Sequence, residues 1–444
     1  MNILRVFAKA REYVFVEDEL LKASLHKKLQ NKYKTDDISQ IPKDELQEEI
    51  NEMLENYDIV IATCSTAWDE RIAQQNFPFV IIDETTQSCE IESLIPIVHG
   101  CKHLTLIGDQ KQLGPVILFP NAFQLGMTVS LFERMLKLYP ELHNILTIQY
   151  RMHEEIVKFP SIMFYNNKIK NGLPKEARIN ERFNSKFNWP NKNIPLIFIH
   201  VTGEEIEVSS GKSKQNEEEA KIVSLYVDKL TKLGIDLKNI GVITPYTAQK
   251  VLILKKLKEK YKLNNIIENL KISSVDGFQG REKDFIMVSN VRSNENNQIG
   301  FLRDFRRLNV SITRAKYGMI IIGDVFCLYG GNDYWKKFIN YYQVNKLIFE
   351  PKIISKDENG KEYSIDELKG LKIFGEDNLE DVEVHYPEYD FDASGNEPNI
   401  NEDLLYNYEC SENVYAEGNK KYYKKKKEKK NKNKNKKKKN YYYK

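Results

Sequence analysis

Asp83 and Glu84 stand side by side directly after the apolar run Phe79–Ile82, in the stretch FVIIDETTQ. Buried parallel strands present their ligands at their carboxyl ends. Adjacent acids at such a place suit a divalent cation and an attacking water: one carboxylate holds Mg2+ through its waters, and the next orients the nucleophile. A second apolar run, in LTLIGDQKQLGP at 104–115, ends at Gly108, Asp109 and Gln112. A Gln there can sense a γ-phosphate or the attacking water, although taken alone the stretch is a polar turn. QYRMHEEIVKFPSIMFY (149–165) supplies Arg151, VDGFQGREKDF (275–285) supplies Glu282 in a turn bracketed by glycines, and RRLNVSITRAK (306–316) supplies Arg314 on an expected helix. Two arginines of a second domain facing carboxylates of a first would act as fingers on a transferring phosphoryl group. A single Arg is more commonly a surface ion pair; the order and spacing of five motifs over about 230 residues is what singles these out.

Residues of this kind need strands to hold them. Short apolar runs recur at Ile3–Phe7, Ile59–Cys64, Phe79–Ile82, Leu104–Ile107, Leu146–Gln149, Leu196–Val201, Gly241–Thr244, Asp284–Asn290 and Met319–Gly323, with helical stretches between them. Apolar throughout rather than alternating, they predict buried parallel strands in doubly wound α/β sheets. Two sheets fit, divided near 140–147. Residues 13–57 have helical periodicity and many charges, and their length exceeds a plain crossover, so they read as a helical insertion.

Composition narrows the classes. The five cysteines form no CxxC pair, which argues against structural zinc and for a reducing compartment. MNILRVFAKARE lacks the apolar core of a signal peptide, and no stretch approaches a membrane-spanning length. The net charge of +3 hides two opposed blocks. Residues 420–444 hold 15 Lys against one Glu, and 355–417 hold 19 Asp and Glu against four Lys. Such blocks are the signature of tails without a packed core. The Lys/Asn/Tyr tract could bind RNA through counterion release or act as a nuclear-import signal, or reflect no more than biased composition.

Together the motifs resemble those of the superfamily 1 helicases, closest to the regulator-of-nonsense-transcripts (up-frameshift) RNA helicases. The resemblance covers about residues 1–350 and extends beyond the motifs, to SLFERM (130–135), FPSIMFYNNKIKNG (159–172), IGVITPYTAQ (240–249) and NQIGFLRDFRRLNVSITRAKYG (297–318). It implies two RecA-like parallel-sheet domains of the P-loop NTPase helicase core, with a first domain at 1–145, a second at 146–350 and a disordered tail at 351–444. By motif, Asp83 and Glu84 become the Mg2+ and water pair of an ATP site, with Asp83 on the metal through water. Gln112 couples the γ-phosphate to the RNA, and Arg151 and Arg314 are the fingers. Tyr150 stacks near the adenine, and Gly280 and Glu282 meet the γ-phosphate side and the ribose. Thr244, Pro245, Tyr246, Ser274 and Val275 line the path of single-stranded RNA, with Lys9, Thr63 and Ser65 touching it from the first domain. Other mRNA surveillance factors are implied as partners, in the cytoplasm with the nucleus as a second address, and the chain as a monomer without a membrane.

The sequence departs from that family in one respect. No GxxxxGK[ST] run precedes FAKARE, and GKS at 211–213 has Ile206 where the first Gly is required. In P-loop proteins that run cradles the β- and γ-phosphates, and its strand is an interior strand of the first sheet. The first domain is therefore expected to be N-terminally truncated, with an exposed apolar sheet edge. The family's Cys/His-rich zinc domain and accessory barrel are also missing, which suits a fragment of a longer helicase. Two other readings stay open: a non-catalytic RNA-binding module, and a senataxin-like helicase acting on DNA or RNA.

Overall fold

The computed structural model describes residues 2–12, 18–117, 119, 121–122, 125–178, 187, 189–208, 213–261, 269–354 and 364–371. The chain divides into two compact units. The first comprises Met1–Gln110, Gly114–Ile117 and Asn121–His143; the second comprises Lys111–Leu113, Leu118–Pro120 and everything from Asn144 onward.

In the first unit, β1 (Ile3–Arg5) pairs in parallel with β2 (Ile59–Ile61), Ile3 opposite Ile59. Between them lie α1 (Asp18–Lys22), α2 (Leu25–Tyr33) and α3 (Lys43–Glu55), the three helices of the expected insertion. Asp44 and Glu45 in the first turn of α3 complement the helix dipole. Leu25 and Leu29 on α2 and Ile50 and Leu54 on α3 close over Leu4, Val6 and Ile72, which together make a small core. A buried Arg71 ties this region to the segment after β1: it donates to Asp69 at 2.7 Å, to the Phe7 carbonyl at 2.8 Å and to Glu12.

The same unit holds a second parallel pair, β3 (Phe79–Ile82) and β4 (His103–Leu106). Here the sequence reading and the structure part. Val80 and Ile82 are buried, but Phe79 and Ile81 are 71% and 69% exposed. The period of two along β3 turns alternate side chains to opposite faces, and only one face is covered. The run is apolar on both faces, as a fully buried strand would be, so part of the strand's apolar surface is left open to solvent. Two further helices follow, α4 (Glu90–Ile97) and α5 (Leu131–Leu138). The latter starts on a reciprocal cap: Ser130 Oγ accepts from Glu133 N–H at 3.2 Å while Ser130 N–H donates to Glu133 at 3.2 Å.

In the second unit, β5 (Ile148–Gln149) and β6 (Lys170–Asn171) form a short parallel pair around α6 (Glu154–Tyr165). The main sheet then uses β7 (Leu196–His200), β10 (Ile240–Ile243), β11 (Lys271–Ser273), β12 (Lys283–Ser289), β13 (Ala315–Gly323), β14 (Ile348–Ile354) and β15 (Ser364–Gly370), in the order β11-β10-β12-β13-β7-β14-β15. All pairs are parallel except β14 with β15. A small antiparallel hairpin, β8 (Glu205–Glu207) and β9 (Lys214–Asn216), stands beside it. α7 (Glu217–Lys232), α8 (Thr247–Tyr261), α9 (Phe305–Ile312), α10 (Val325–Gly331) and α11 (Asp333–Val344) complete the unit. Every residue of β7 and β10 is buried, because the sheet has a core on each face. Phe198, Ile243, Ile286, Val310, Ile321 and Phe338 belong to one core, and Ile197, Val223, Tyr226, Val242, Met287 and Ile320 to the other. Such double coverage explains the continuous apolar runs.

β14 and β15 carry the sheet to Gly370, beyond residue 350, where the sequence reading ends the second domain and begins a tail. The pairing of β14 with the interior strand β7 through Ile348 and Phe349 accounts for the extension. From residue 372 the expected tail lies outside the described residues, as do residues 209–212 of the GKS stretch. No helix among the described residues is long and apolar enough to cross a membrane.

Candidate nucleotide and nucleic-acid sites

Asp83 and Glu84 sit where β3 ends, on the carboxyl side of the parallel pair. The turn is tight: Glu84 takes a φ of +52°, a left-handed conformation uncommon outside glycine. Local bonds hold it there. Glu84 N–H donates to Asp83 Oδ1 at 2.9 Å, Gln87 Nε2 donates to Glu84 Oε2 at 2.9 Å, and Thr85 Oγ1 donates back to the Ile82 carbonyl at 2.7 Å. The Asp83 side chain is exposed at the strand end, so the donor set fits a hydrated Mg2+. Of the nucleic-acid candidates in this unit, Lys9 pairs with Glu70 at 2.6 Å, Thr63 Oγ1 bonds Thr66 Oγ1 at 2.8 Å, and Ser65 Oγ donates to Glu92 at 2.9 Å. All three are exposed.

The second unit brings together residues far apart in the chain. Arg151 Nε donates to Glu282 Oε2 at 2.7 Å, and its Nη1 donates to the Thr313 carbonyl at 3.2 Å. Lys316 meets the other oxygen of Glu282 at 2.6 Å. Burial works to raise the Glu282 carboxyl, but the hydrogen bonds from Lys316 and Arg151 outweigh it and hold the group below its ordinary range. Arg314 lies not on a helix, as the sequence suggested, but at the junction between α9 and β13. The helix ends at Ile312 because Thr313 and Arg314 turn back on it: Thr313 Oγ1 donates to the Asn309 carbonyl at 2.7 Å and Arg314 Nε to the Val310 carbonyl at 3.0 Å. Arg314 is 1% exposed, and its Nη2 donates to Gln112 Oε1 at 3.2 Å.

Tyr150 presents its ring to solvent at 61% exposure. Arg178, donating to the Tyr150 carbonyl at 2.8 Å and to the Arg151 carbonyl at 2.7 Å, fixes the backbone beneath both. Gly280 has a φ of +70°, which the turn before β12 demands and which a side chain would strain. Lys316 and Arg178 are functional candidates that the sequence reading passed over. Lys316 stood two residues beyond Arg314 in the same motif, whereas nothing in the local sequence marked Arg178.

The candidates for an RNA path are unevenly exposed. Thr244, Tyr246 and Val275 are buried, with Tyr246 only 4% exposed, so their side chains face the interior of the unit. Pro245 and Ser274 are half-buried, and Ser274 Oγ accepts from Gly277 N–H at 3.2 Å. Tyr246 Oη accepts from Arg292 Nη1 at 3.3 Å. The surface on this edge is therefore made by the turns that carry these residues more than by the side chains themselves.

Comparison with known proteins agrees with this architecture. Two AAA domain models match the chain, one over residues 2–119 and one over residues 127–325. "Regulator of nonsense transcripts 1" of Dictyostelium discoideum is 38% identical over 357 residues, covering 80% of this chain and 26% of that protein. "Regulator of nonsense transcripts 1 homolog" of Neurospora crassa is 43% identical over 309 residues, covering 67% and 27%. "ATP-dependent helicase NAM7" of Saccharomyces cerevisiae is 42% identical over 300 residues, covering 67% and 30%. The chain thus spans less than a third of the length of each of these three relatives. With the acids after β3, the Arg151–Glu282 pair and the Arg314–Gln112 pair all set on parallel-sheet units, this chain belongs to the superfamily 1 helicases, in the branch of the regulators of nonsense transcripts.

Proposed function

We propose that this chain contributes the motor chemistry of an ATP-dependent helicase that translocates on single-stranded RNA in nonsense-mediated mRNA decay. The observation that carries the reading is the Arg314–Gln112 hydrogen bond at 3.2 Å. Arg314 and Gln112 are separated by 202 residues, their motifs point to one chemistry, and their meeting in the second unit supports that reading. In this reading Asp83 would hold Mg2+ through water, Glu84 would orient the attacking water, Arg151 and Arg314 would stabilise the transferring phosphoryl charge, and Tyr150, Gly280 and Glu282 would serve the nucleotide. ATP supplies the free energy of movement when bound.

The exposed Lys9, Thr63 and Ser65 of the first unit and the Pro245 and Ser274 turns of the second would contact the RNA backbone, which gives binding without sequence preference. The proposed address is the cytoplasm. The sequence contains no GxxxxGK[ST] run, so the phosphate cradle is not among the residues present, and this polypeptide alone is expected to hydrolyse ATP poorly.

Binding of purified chain to labelled single-stranded RNA, together with its ATPase rate, tests the proposal. The expected result is salt-sensitive RNA binding with a background ATPase rate. No RNA binding at low salt refutes the helicase reading. An RNA-stimulated rate lost in Glu84→Gln would uphold the motor and refute only the expected inactivity.

A further inference from the structure

We infer that Glu219 and Glu205 form a two-carboxylate clamp on the loop Asn290–Asn294, and that this clamp positions the turn Thr244–Gln249 for nucleic acid. The inference rests on the reading of that turn as part of the RNA path. The loop begins where β12 ends, and the chain must reverse at once. Val291 does so with a φ of +72°, a conformation that a β-branched residue strongly avoids. Glu219, on the first turn of α7, holds it there. Both carboxylate oxygens accept the Val291 N–H, at 2.8 and 2.9 Å, and Oε2 also accepts from Ser289 Oγ at 2.7 Å.

The next three residues are gripped from the other side. Oε2 of Glu205, on β8, accepts from Arg292 Nε at 2.9 Å, from Ser293 N–H at 2.9 Å and from Asn294 Nδ2 at 3.1 Å. With its Nε engaged, the Arg292 guanidinium turns Nη1 onto Tyr246 Oη. Gly300, at a φ of +52°, leaves room for that contact: a Cβ there would lie 2.5 Å from Arg292 Nη1 and 3.2 Å from Tyr246 Oη.

The same network reaches the far end of the turn. Gln249 is fully buried, donates to Ser289 Oγ at 3.0 Å and to the Asn216 carbonyl at 3.1 Å, and accepts from Asn216 N–H at 2.8 Å. Ala248 N–H donates to Ser213 Oγ at 2.9 Å. Tyr246 is thus pinned through Arg292 to Glu205, and Gln249 through Ser289 to Glu219. Between and before these anchors stand the half-buried Pro245 and the exposed Thr247. A buried polar network of this kind fixes one conformation. The clamp residues touch no nucleic acid themselves; they are positioning residues that decide where Pro245 and Thr247 sit.

The test uses the full chain, a fluorescein-labelled oligouridine, and amide hydrogen exchange of peptides covering 244–249 and 290–294. Glu219→Gln, Arg292→Lys and Tyr246→Phe are each expected to weaken oligouridine binding by about threefold to tenfold, the range of coupling through such networks. The Arg292→Lys/Tyr246→Phe double variant is expected to bind no worse than the weaker single, because both break one link. Exchange, read at pH 5 where the two proteins are of similar stability, should rise at 244–249 as well as at 290–294 in Glu219→Gln. Additive losses in the double variant, or unchanged exchange at 244–249, overturn the clamp. So does unchanged oligouridine binding in Glu219→Gln beside an unsubstituted chain that binds. Failure of the unsubstituted chain to bind oligouridine overturns the RNA reading instead, and the clamp's role with it.

Discussion

Glu219 makes the stability of the second unit depend on pH in a direction opposite to that of an ordinary paired carboxylate. Its side chain is completely buried, and burial pushes its carboxyl up to about 8 from an ordinary 4.5, against the hydrogen bonds from Ser289, Val291 and Asn290 that favour the charged form. The unfolded chain releases this proton near pH 4.5 and the folded chain near pH 8. Between those values the folded state binds more protons, so stability falls as pH rises and levels off above pH 8. At about 1.4 kcal/mol per pH unit, the full effect is on the order of 5 kcal/mol. Glu219→Gln removes the ionisation while keeping one carbonyl acceptor for Val291 N–H.

The variant should therefore lose about 1 kcal/mol at pH 4, where the native side chain is neutral in the folded chain and mostly neutral in the unfolded one, so that only a hydrogen bond differs. It should gain on the native protein steadily up to pH 8. Urea titrations at pH 4, 6 and 8 read this directly through the fluorescence of Trp189 and Trp335, both buried in the second unit. Parallel pH dependences for the two proteins would refute the reasoning, since groups other than Glu219 contribute equally to both.

Other expectations follow from single contacts. Gly300→Ala places a Cβ 2.5 Å from Arg292 Nη1 at a left-handed φ, and should cost about 1–2 kcal/mol, measured as a lowered urea midpoint. Glu282→Gln weakens a partly exposed link to Arg151 and Lys316; its effect on thermal stability should be small, and the difference from the native protein should shrink in high salt. Phe79→Ser combined with Ile81→Ser changes side chains that are already open to solvent. It should leave the melting temperature nearly unchanged and reduce light scattering on concentration.

The sequence displayed the second unit well because its signal was local and repeated. The runs at Leu196–Val201, Gly241–Thr244, Asp284–Asn290 and Met319–Gly323 fall on interior strands covered on both faces, so each is apolar over most of its length. The edge strands gave no such signal. β11 carries Lys-Ile-Ser, β8 and β9 are mostly charged or polar, and β15 is rich in acids; their pairing is decided by neighbours remote in sequence. The site was legible in the same graded way. Motif order singled out Arg151, Glu282, Gln112 and Arg314 as candidates without showing which pairs would meet. The partners that finish the pairs, Lys316 on Glu282 and Arg178 under Tyr150, depend on the tertiary path.

Tyr246 shows the limit of reading function from residue type. A tyrosine in a turn at the carboxyl end of an interior strand suggests an aromatic surface for a base. Here the ring is 4% exposed and its hydroxyl accepts from Arg292. What decides between the two uses is whether the interior offers a donor to the hydroxyl. Arg292 can reach it because Glu205 and Glu219 hold a strained loop in place, and those acids come from a hairpin and a helix that precede the loop by about 70 to 90 residues. Without that donor, burying the hydroxyl would cost about 1–3 kcal/mol, and the ring would sit better at the surface. The same motif letters therefore specify a wall in this unit, with the exposed Thr247 beside it.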